Sequence, residues 1–101
     1  MPNQPILDAA YQLAKKAHSS ASHAEAKDKL HSMFADASWD EILDAYLKGC
    51  ELAEKCYEVG DVAHRETLPD DQAIQMLRQR FPGFSARTYS DALTLGWFLS
   101  R

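Results

Sequence analysis

The sequence is poor in the residues that break regular structure or crosslink a chain. It has four glycines, four prolines and two cysteines among 101 residues. So little glycine and proline argues against a disordered or low-complexity chain. Cys50 and Cys56 lie six residues apart on one predicted helix and point about 120° away from each other, so no disulfide is expected between them. Free cysteines are typical of a reducing compartment, and we expect a cytoplasmic protein.

Signals for membranes and for nucleic acids are also weak. No basic start is followed by an apolar run and a cleavage site, so no signal peptide is predicted. No apolar run is long enough to form a transmembrane helix. The formal net charge of −4 argues against binding to nucleic acid or to an anionic membrane, and it allows a basic protein partner.

The sequence lacks the usual motifs of catalysis and metal binding. None of the four histidines belongs to a His-Glu-x-x-His motif, and the cysteines lack zinc spacing. There is no glycine-rich phosphate loop and no Gly-x-Ser-x-Gly elbow. The pairs Asp28 with His31 and Asp61 with His64 are interpreted as solvated surface. We therefore predict no catalytic residue, no metal ligand and no cofactor, and keep a small helical metal-dependent enzyme as the second alternative.

Apolar residues recur at spacings of three and four, without alternation of period two. Together with 46% hydrophobic and 26% charged residues, this pattern predicts an all-α fold. We expect a compact bundle of four to five helices that forms a single domain over residues 1–101. We see no internal repeat in the sequence.

The first two helices are predicted from their apolar stripes. The phase slips between the stripes, which predicts two helices that meet near residues 19–22; the alternative is one long helix over residues 5–35. The first stripe consists of Ile6, Leu7, Ala10, Leu13, Ala14 and Ala17, and the second of Ala26, Leu30, Met33 and Phe34.

The third helix has the strongest signals. Ser38 and Glu41 form the Ser-x-x-Glu pattern of a capping box at its start, and Gly60 is the expected end. A loop is predicted over residues 61–71. The predicted core stripe is Trp39, Ile42, Leu43, Tyr46, Cys50, Ala53 and Tyr57.

Two more helices are predicted after Pro69. The fourth runs to about Phe81, with Ala73, Ile74, Leu77 and Phe81 as its buried face. Ser85 caps the fifth, and the spacing of Phe84 and Tyr89 is that of a hydrophobic staple.

Acidic side chains line the outer face of the third helix. They are Asp40, Asp44, Glu51, Glu54 and Glu58. A solvated face is the ordinary explanation, and a surface that receives a basic protein is the functional one. A metal site of the helical-bundle type would need Glu-x-x-His motifs, which the chain lacks.

The fifth helix is apolar almost all the way round at its end. Tyr89, Leu93, Gly96 and Trp97 are predicted to face inward, which leaves further apolar residues outside that stripe. Such a helix is either central or covered by another molecule. We predict an interface with a second copy of the chain, formed by Leu95, Trp97, Phe98 and Leu99. The alternative is that the N-terminal helices cover this end within one chain.

Residues 70–100 also have the outline of a helix-turn-helix. The reading surface would be Arg87, Thr88, Ser90, Asp91 and Thr94, which makes a DNA-binding regulator the first alternative. The segment AIQMLRQRFPGFSARTYSDAL, residues 73–93, faintly resembles ubiquitin-binding CUE modules. Arg80-Phe81-Pro82 stands where that family has Met-Phe-Pro, and Ala92-Leu93 replaces its di-leucine. With a clear third helix also missing, the chain is not assigned to the family.

The function predicted from the sequence is non-catalytic protein–protein interaction, as a small adaptor, inhibitor or regulatory subunit. The expected partners are a second copy of the chain and a basic protein. Nucleic acid and membranes are not expected partners. The apolar end of the fifth helix and the acidic face of the third helix are the two features that support this interpretation.

Overall fold

The computed structural model describes residues 4–20 and 23–99, without the side chains of residues 18–20 and 97–99. In these residues the chain forms five α-helices and no strand, so the all-α prediction is confirmed. The helices are α1 Gln4–Ser20, α2 His23–Met33, α3 Trp39–Arg65, α4 Asp70–Arg80 and α5 Ala86–Leu99. None of the described helices combines the length and the hydropathy that crossing a bilayer requires.

The chain divides into two compact units, residues 1–50 and residues 51–101. The first contains α1, α2 and the first part of α3, and the second contains the rest of α3, α4 and α5. The expectation of a single domain stays a prediction.

In the first unit, α1 and α2 are separate helices, as predicted. They pack against each other. The Nδ1 atom of His23 shares a 2.6 Å hydrogen bond with the Tyr46 hydroxyl, which links α2 to α3. Ser38 accepts a hydrogen bond from the Glu41 amide at 3.2 Å, so the predicted cap of α3 is confirmed. The predicted core position Met33 is wrong, because its side chain is 60% exposed.

In the second unit, α4 packs against α5. The Ser85 hydroxyl accepts a hydrogen bond from the Thr88 amide at 3.2 Å and caps α5 as predicted. The Phe84 and Tyr89 rings meet edge to face, with centroids 5.9 Å apart, which confirms the staple contact. The Tyr89 hydroxyl also donates to the Phe81 carbonyl at 2.6 Å and accepts from the Phe84 amide at 3.2 Å. Tyr89 therefore ties the α4–α5 turn to the start of α5.

The predicted end of α3 is wrong. The helix continues through Gly60 and ends at Arg65, so residues 61–65 are helical rather than loop. Thr67 takes the left-handed conformation after the last turn, with φ of 54°, and the Leu68 amide donates to the Ala63 carbonyl at 2.9 Å. This is the longer of the two hydrogen bonds of a Schellman motif, with threonine in the position that glycine usually holds.

The predicted core stripe of α3 is also partly wrong. Trp39, Leu43 and Tyr57 are each about half exposed, at 46%, 45% and 45%, and Cys50 is only half-buried. Three predicted core positions, Ile42, Tyr46 and Ala53, are buried as expected. The other buried positions of α3 are Ala45, Gly49, Leu52, Cys56, Val59, Gly60 and Ala63. Small residues make up most of this set, and they allow neighbouring backbones to approach closely.

The two units repeat one pattern, and this overturns the expectation that the chain has no repeat. α4 begins and ends 47 residues after α2, and α5 begins 47 residues after α3. Between residues 23–49 and residues 70–96, seven residue pairs are identical at this spacing, and four of the seven are buried in both units. The seven pairs are Ala26 and Ala73, Leu30 and Leu77, Phe34 and Phe81, Ser38 and Ser85, Asp44 and Asp91, Ala45 and Ala92, and Gly49 and Gly96.

The helix that opens each unit follows the same pattern at a spacing of 46 residues. Five of the six buried positions described in α1 match buried positions in the second part of α3, and the sixth, Tyr11, matches Tyr57, which is 45% exposed. The five pairs are Ile6 and Leu52, Leu7 and Ala53, Ala10 and Cys56, Ala14 and Gly60, and Ala17 and Ala63. Residues that correspond at these spacings are called equivalent below.

One close backbone contact is made in both units. A Cβ added to Gly49 would lie 2.7 Å from the carbonyl carbon of Ala10, and one added to Gly96 would lie 2.5 Å from the carbonyl oxygen of Cys56. Real Cβ atoms do not approach other atoms this closely, so glycine is required at both positions. Because Ala10 and Cys56 are themselves equivalent, the third helix of each unit meets the first in the same way.

Candidate partner-binding surface

An exposed apolar surface lies on the first part of α3. Trp39, Leu43 and Leu47 are 46%, 45% and 58% exposed, and we call them the α3 stripe. Their spacing of four residues places them on one face of the helix. Single exposed apolar residues are ordinary, but three in a row along one helix form a surface that another molecule can cover.

The start of the α3 stripe is held in place by α2. The His31 ring stacks on the Trp39 indole, with centroids 4.2 Å apart and planes at 17°. Trp39 is the first residue of α3, directly after the Ser38 cap. The stacking restricts the indole before any partner binds, which lowers the conformational entropy lost on binding.

Acidic residues outnumber basic residues in the segment that contains the α3 stripe. Residues 36–48 contain four acids, Asp36, Asp40, Glu41 and Asp44, and one base, Lys48. Lys48 pairs with Asp44 at 3.2 Å, and both side chains are more than 40% exposed. An exposed pair of this kind contributes little stability, so the effect of this segment is mainly its net negative potential.

The second unit shows that this helix position does not need apolar side chains. The equivalents of Trp39, Leu43 and Leu47 are Ala86, Ser90 and Thr94, which are also exposed. A small residue and two hydroxyl residues therefore occupy the same face of α5. The α3 stripe distinguishes the first unit from the second and is not a general requirement of the repeat.

A cavity of about 330 Å³ opens beside the turn between α2 and α3. Five of its seven lining residues are apolar, and the other two carry carboxylates. The lining residues are Ile6, Met33, Phe34, Ala35, Asp36, Ala37 and Glu41. Met33, which the sequence pattern assigned to the core, lines this cavity with an exposed side chain.

A second cavity, of about 500 Å³, lies beside the second part of α3. Its lining includes Tyr57, Glu58, Asp61 and Arg65. Asp61 pairs with Arg65 at 3.1 Å, and Glu58 accepts a hydrogen bond from Arg80 at 2.8 Å. Because both carboxylates already pair with arginine side chains, they would bind a further cation only weakly.

The predicted acidic face is exposed for the most part. Asp40 and Asp44 belong to the first unit, and Glu51, Glu54 and Glu58 belong to the second. Asp44 and Glu58 are engaged by Lys48 and Arg80. Binding of a basic partner to these residues stays a prediction.

The predicted C-terminal interface falls mostly outside the described side chains. Leu95 is half-buried, and Gly96 is buried against Cys56. The side chains of Trp97, Phe98 and Leu99 lie beyond the description. A homodimer through these residues stays a prediction.

The predicted DNA-reading surface needs one correction. Thr88 is only 4% exposed, and its hydroxyl accepts a hydrogen bond from Ser85 at 3.2 Å. It supports the start of α5 and does not face solvent. Arg87, Ser90 and Thr94 are exposed, and Asp91 is half-buried.

A group of metal-binding side chains or a reactive cysteine would give the described residues a site for chemistry. In residues 4–20 and 23–99, no three His, Cys, Asp or Glu side chains are grouped so that they could hold a metal. Cys56 is fully buried, and its thiol donates to the Ala53 carbonyl at 3.6 Å. Burial raises the pKa of this thiol from 9.0 to about 11, against a small opposing effect of its backbone hydrogen bond. Cys56 is therefore a neutral thiol at physiological pH and a poor nucleophile.

Sequence reasoning missed the α3 stripe and the cavity. The apolar character of Trp39 and Leu43 led to their assignment to the core, and Leu47 was assigned to no face. The cavity has no sequence signal by itself, because its lining combines residues of α1, α2, α3 and the turn between α2 and α3. Compared with known proteins, the chain matches no protein-family model, no curated protein and no solved structure.

Proposed function

We propose that the protein is a non-catalytic protein–protein interaction module that binds a basic amphipathic helix of a partner on the α3 stripe. The observation that carries the proposal is the exposure of Trp39, Leu43 and Leu47 where the second unit has Ala86, Ser90 and Thr94. The fold of each unit does not require apolar residues at these positions. Binding of a partner accounts for their presence in the first unit.

The charge of the surface favours a basic occupant. Residues 36–48 carry four carboxylates and one ammonium group. Opposite charge steers association and selects among partners of similar shape. A helix with leucine-like residues on one face and lysine or arginine beside them would satisfy both parts of the surface. This is the helix-in-groove mode of recognition.

The size of the surface favours a single helix over a second copy of the chain. Trp39 to Leu47 spans about 12 Å, or two turns of a helix. Three half-exposed side chains offer far less than the roughly 800 Å² that each partner buries in a stable interface. A dimer formed through the α3 stripe would also bring like charges together.

A designed peptide tests the proposal directly. The probe is a leucine–lysine amphipathic peptide of about 14 residues, or four turns, titrated by isothermal calorimetry. We expect saturable binding. An otherwise identical peptide with glutamate in place of lysine should not bind, because it meets the acids of residues 36–48. A leucine–lysine peptide with its helical periodicity scrambled should not bind either.

The repeat supplies the matched variant of the protein. The triple variant Trp39→Ala, Leu43→Ser and Leu47→Thr gives α3 the side chains that α5 carries at the equivalent positions. It should fold, as judged by circular dichroism, and weaken peptide binding about tenfold or more, because truncating central apolar anchors costs more than about 1 kcal/mol. The control is Thr94→Ala on α5. Equal affinity of the triple variant and the unaltered protein would refute the proposal.

Self-association through the end of α5 is proposed from the sequence and needs its own measurement. Light scattering at high micromolar concentration distinguishes a monomer from a dimer. We expect a dimer that Trp97→Ser with Phe98→Ser dissociates, and a monomer would refute this part. A salt-sensitive gel shift of a random DNA duplex would instead favour the DNA-binding alternative.

A further inference from the structure

The repeat shows what is missing from the cavity in the first unit. Residue 84 of the second unit is a phenylalanine that is only 4% exposed. Its ring packs edge to face on Tyr89, with centroids 5.9 Å apart. The equivalent residue of the first unit is Ala37, and it lines the cavity of about 330 Å³. Where one unit has a buried aromatic ring, the other has a methyl group and an opening.

We propose that this cavity binds an aromatic side chain of the partner, with a cationic group next to the ring. The ring takes the place that Phe84 fills in the second unit. Ile6, Met33 and Phe34 supply the apolar wall. The identification of the occupant as a partner's side chain rests on the proposed function. The binding of an aromatic cation to the cavity does not.

The cation follows from the two carboxylates of the lining. Asp36 and Glu41 line the cavity, and their equivalents in the second unit are the uncharged Gly83 and Thr88. The carboxylates of this lining are thus particular to the first unit. A charged group on the ligand would form charge-assisted hydrogen bonds with them, which are stronger than bonds between neutral groups.

The size of the cavity agrees with one side chain and its nearest backbone. About 330 Å³ lies at the lower end of the roughly 300–1,000 Å³ of small-molecule sites. It exceeds the space of a single ring, so the adjoining ammonium or guanidinium group fits as well. An aromatic residue directly beside lysine or arginine in the partner has this chemistry.

The probe is phenylalanine amide, which carries a phenyl ring and an ammonium group on a small frame. It is titrated into the ¹⁵N-labelled protein and followed by NMR. We expect progressive shifts of the backbone amides of residues 33–41 in the millimolar range. Alanine amide has no ring, and N-acetylphenylalanine is an anion. Neither should shift these amide signals.

Two variants test the site from the protein side. Ala37→Phe copies the residue that the second unit has at this position, so it should fill the cavity and abolish the shifts. Glu41→Gln keeps the shape and removes one charge, so it should weaken the probe about fivefold. If Ala37→Phe does not fold by circular dichroism, Glu41→Gln and Asp36→Asn together provide the test. Ser90→Ala, in the second unit, is the control and should bind as the unaltered protein does.

The outcomes separate this inference from the proposed function. The inference is overturned if phenylalanine amide does not shift the amide signals of residues 33–41. It is also overturned if alanine amide causes equal shifts, or if the shifts persist in Ala37→Phe. A protein that binds the leucine–lysine peptide but not phenylalanine amide keeps its proposed function and loses the cavity as a site. A protein that binds phenylalanine amide but not the peptide keeps the site and loses the proposed function.

Discussion

Gly49 lies so close to Ala10 that a Cβ on the glycine would sit 2.7 Å from the Ala10 carbonyl carbon. We expect Gly49→Ala to destabilise the protein by about 1–3 kcal/mol, because the two helix backbones must separate. Without this contact, the same change would stabilise α3 by up to about 1 kcal/mol, since alanine is the better helix former. The sign of the change in the free energy of urea unfolding therefore decides whether the contact exists.

The equivalent change in α5 is Gly96→Ala, and its Cβ would lie 2.5 Å from the Cys56 carbonyl oxygen. It should destabilise by a similar amount. Ser90→Ala, at an exposed position of α5, is the control and should change stability by no more than about 0.5 kcal/mol. A stabilising effect of either glycine substitution would contradict the close contact.

The Tyr89 hydroxyl connects two backbone groups of the α4–α5 turn, with bonds of 2.6 Å to the Phe81 carbonyl and 3.2 Å from the Phe84 amide. Tyr89→Phe should cost about 1–3 kcal/mol, because it leaves buried backbone groups without this partner. The midpoint of urea unfolding measures the loss. Tyr57→Phe is the matched control at a half-exposed tyrosine and should have little effect. Equal midpoints for both variants would show that the hydroxyl bonds contribute nothing.

Thr67 has a φ of 54°, a conformation that costs a β-branched residue energy. Thr67→Gly should raise the stability by about 0.5–1 kcal/mol, because the relief of strain exceeds the added freedom of the unfolded chain. Thr67→Asn should give a smaller gain, and Thr67→Ala the smallest. Thermal unfolding ranks the three. A loss of stability in Thr67→Gly would mean that the threonine side chain makes a contact that outweighs the strain.

The buried Cys56 thiol gives stability a dependence on alkaline pH. Its pKa is about 11 in the folded protein and 9.0 in the unfolded reference, so the folded state holds the proton more tightly. The contribution is fully present below pH 9 and is lost as the pH rises through 11. Two pKa units correspond to about 3 kcal/mol at most.

Urea unfolding at pH 8 and at pH 10.5 measures this dependence. Lysines and tyrosines also titrate in this range, so the slope is compared with that of Cys56→Ala. The variant is less stable at pH 8 because of the lost packing, but its stability should fall less between the two pH values. Equal slopes would contradict the raised pKa.

Local end signals gave correct helix boundaries where the chain used the usual residues. Ser38 and Ser85 cap α3 and α5, and Pro69 and Pro82 mark the limits of α4. Gly60 misled because a glycine suits a helix end and a close helix contact equally well. The actual end uses Thr67, which has no such signal. Its position becomes clear only from the backbone conformation.

The predicted core face of α3 was partly wrong because large apolar side chains dominate a prediction that is based on hydrophobicity. The prediction placed Trp39 and Leu43 in the core, whereas the buried face includes Ala45 and Gly49, which the prediction left out. Burial is decided by the direction in which each residue points toward neighbouring helices. The periodicity of the sequence identifies the buried face only when the large apolar residues lie on that face of the helix. The same error hid the α3 stripe, since a surface for a partner resembles a core face.

The repeat could have been found from the sequence. Phe34, Ser38 and Gly49 recur as Phe81, Ser85 and Gly96 without a gap. Identity at about one position in four is hard to see by eye, and the identical residues are common ones. The matching helix limits make the correspondence clear.

The spacing of 47 residues allows the effects of substitutions to be compared between equivalent positions of one protein. In a complete substitution scan, tolerance at Leu30 should rank like tolerance at Leu77, and Ala45 like Ala92, since each pair has the same buried setting. Equivalent positions that tolerate different substitutions would indicate a selective constraint other than folding. Trp39 against Ala86, and Ala37 against Phe84, are the first two comparisons to make, and neither requires knowing the partner in advance.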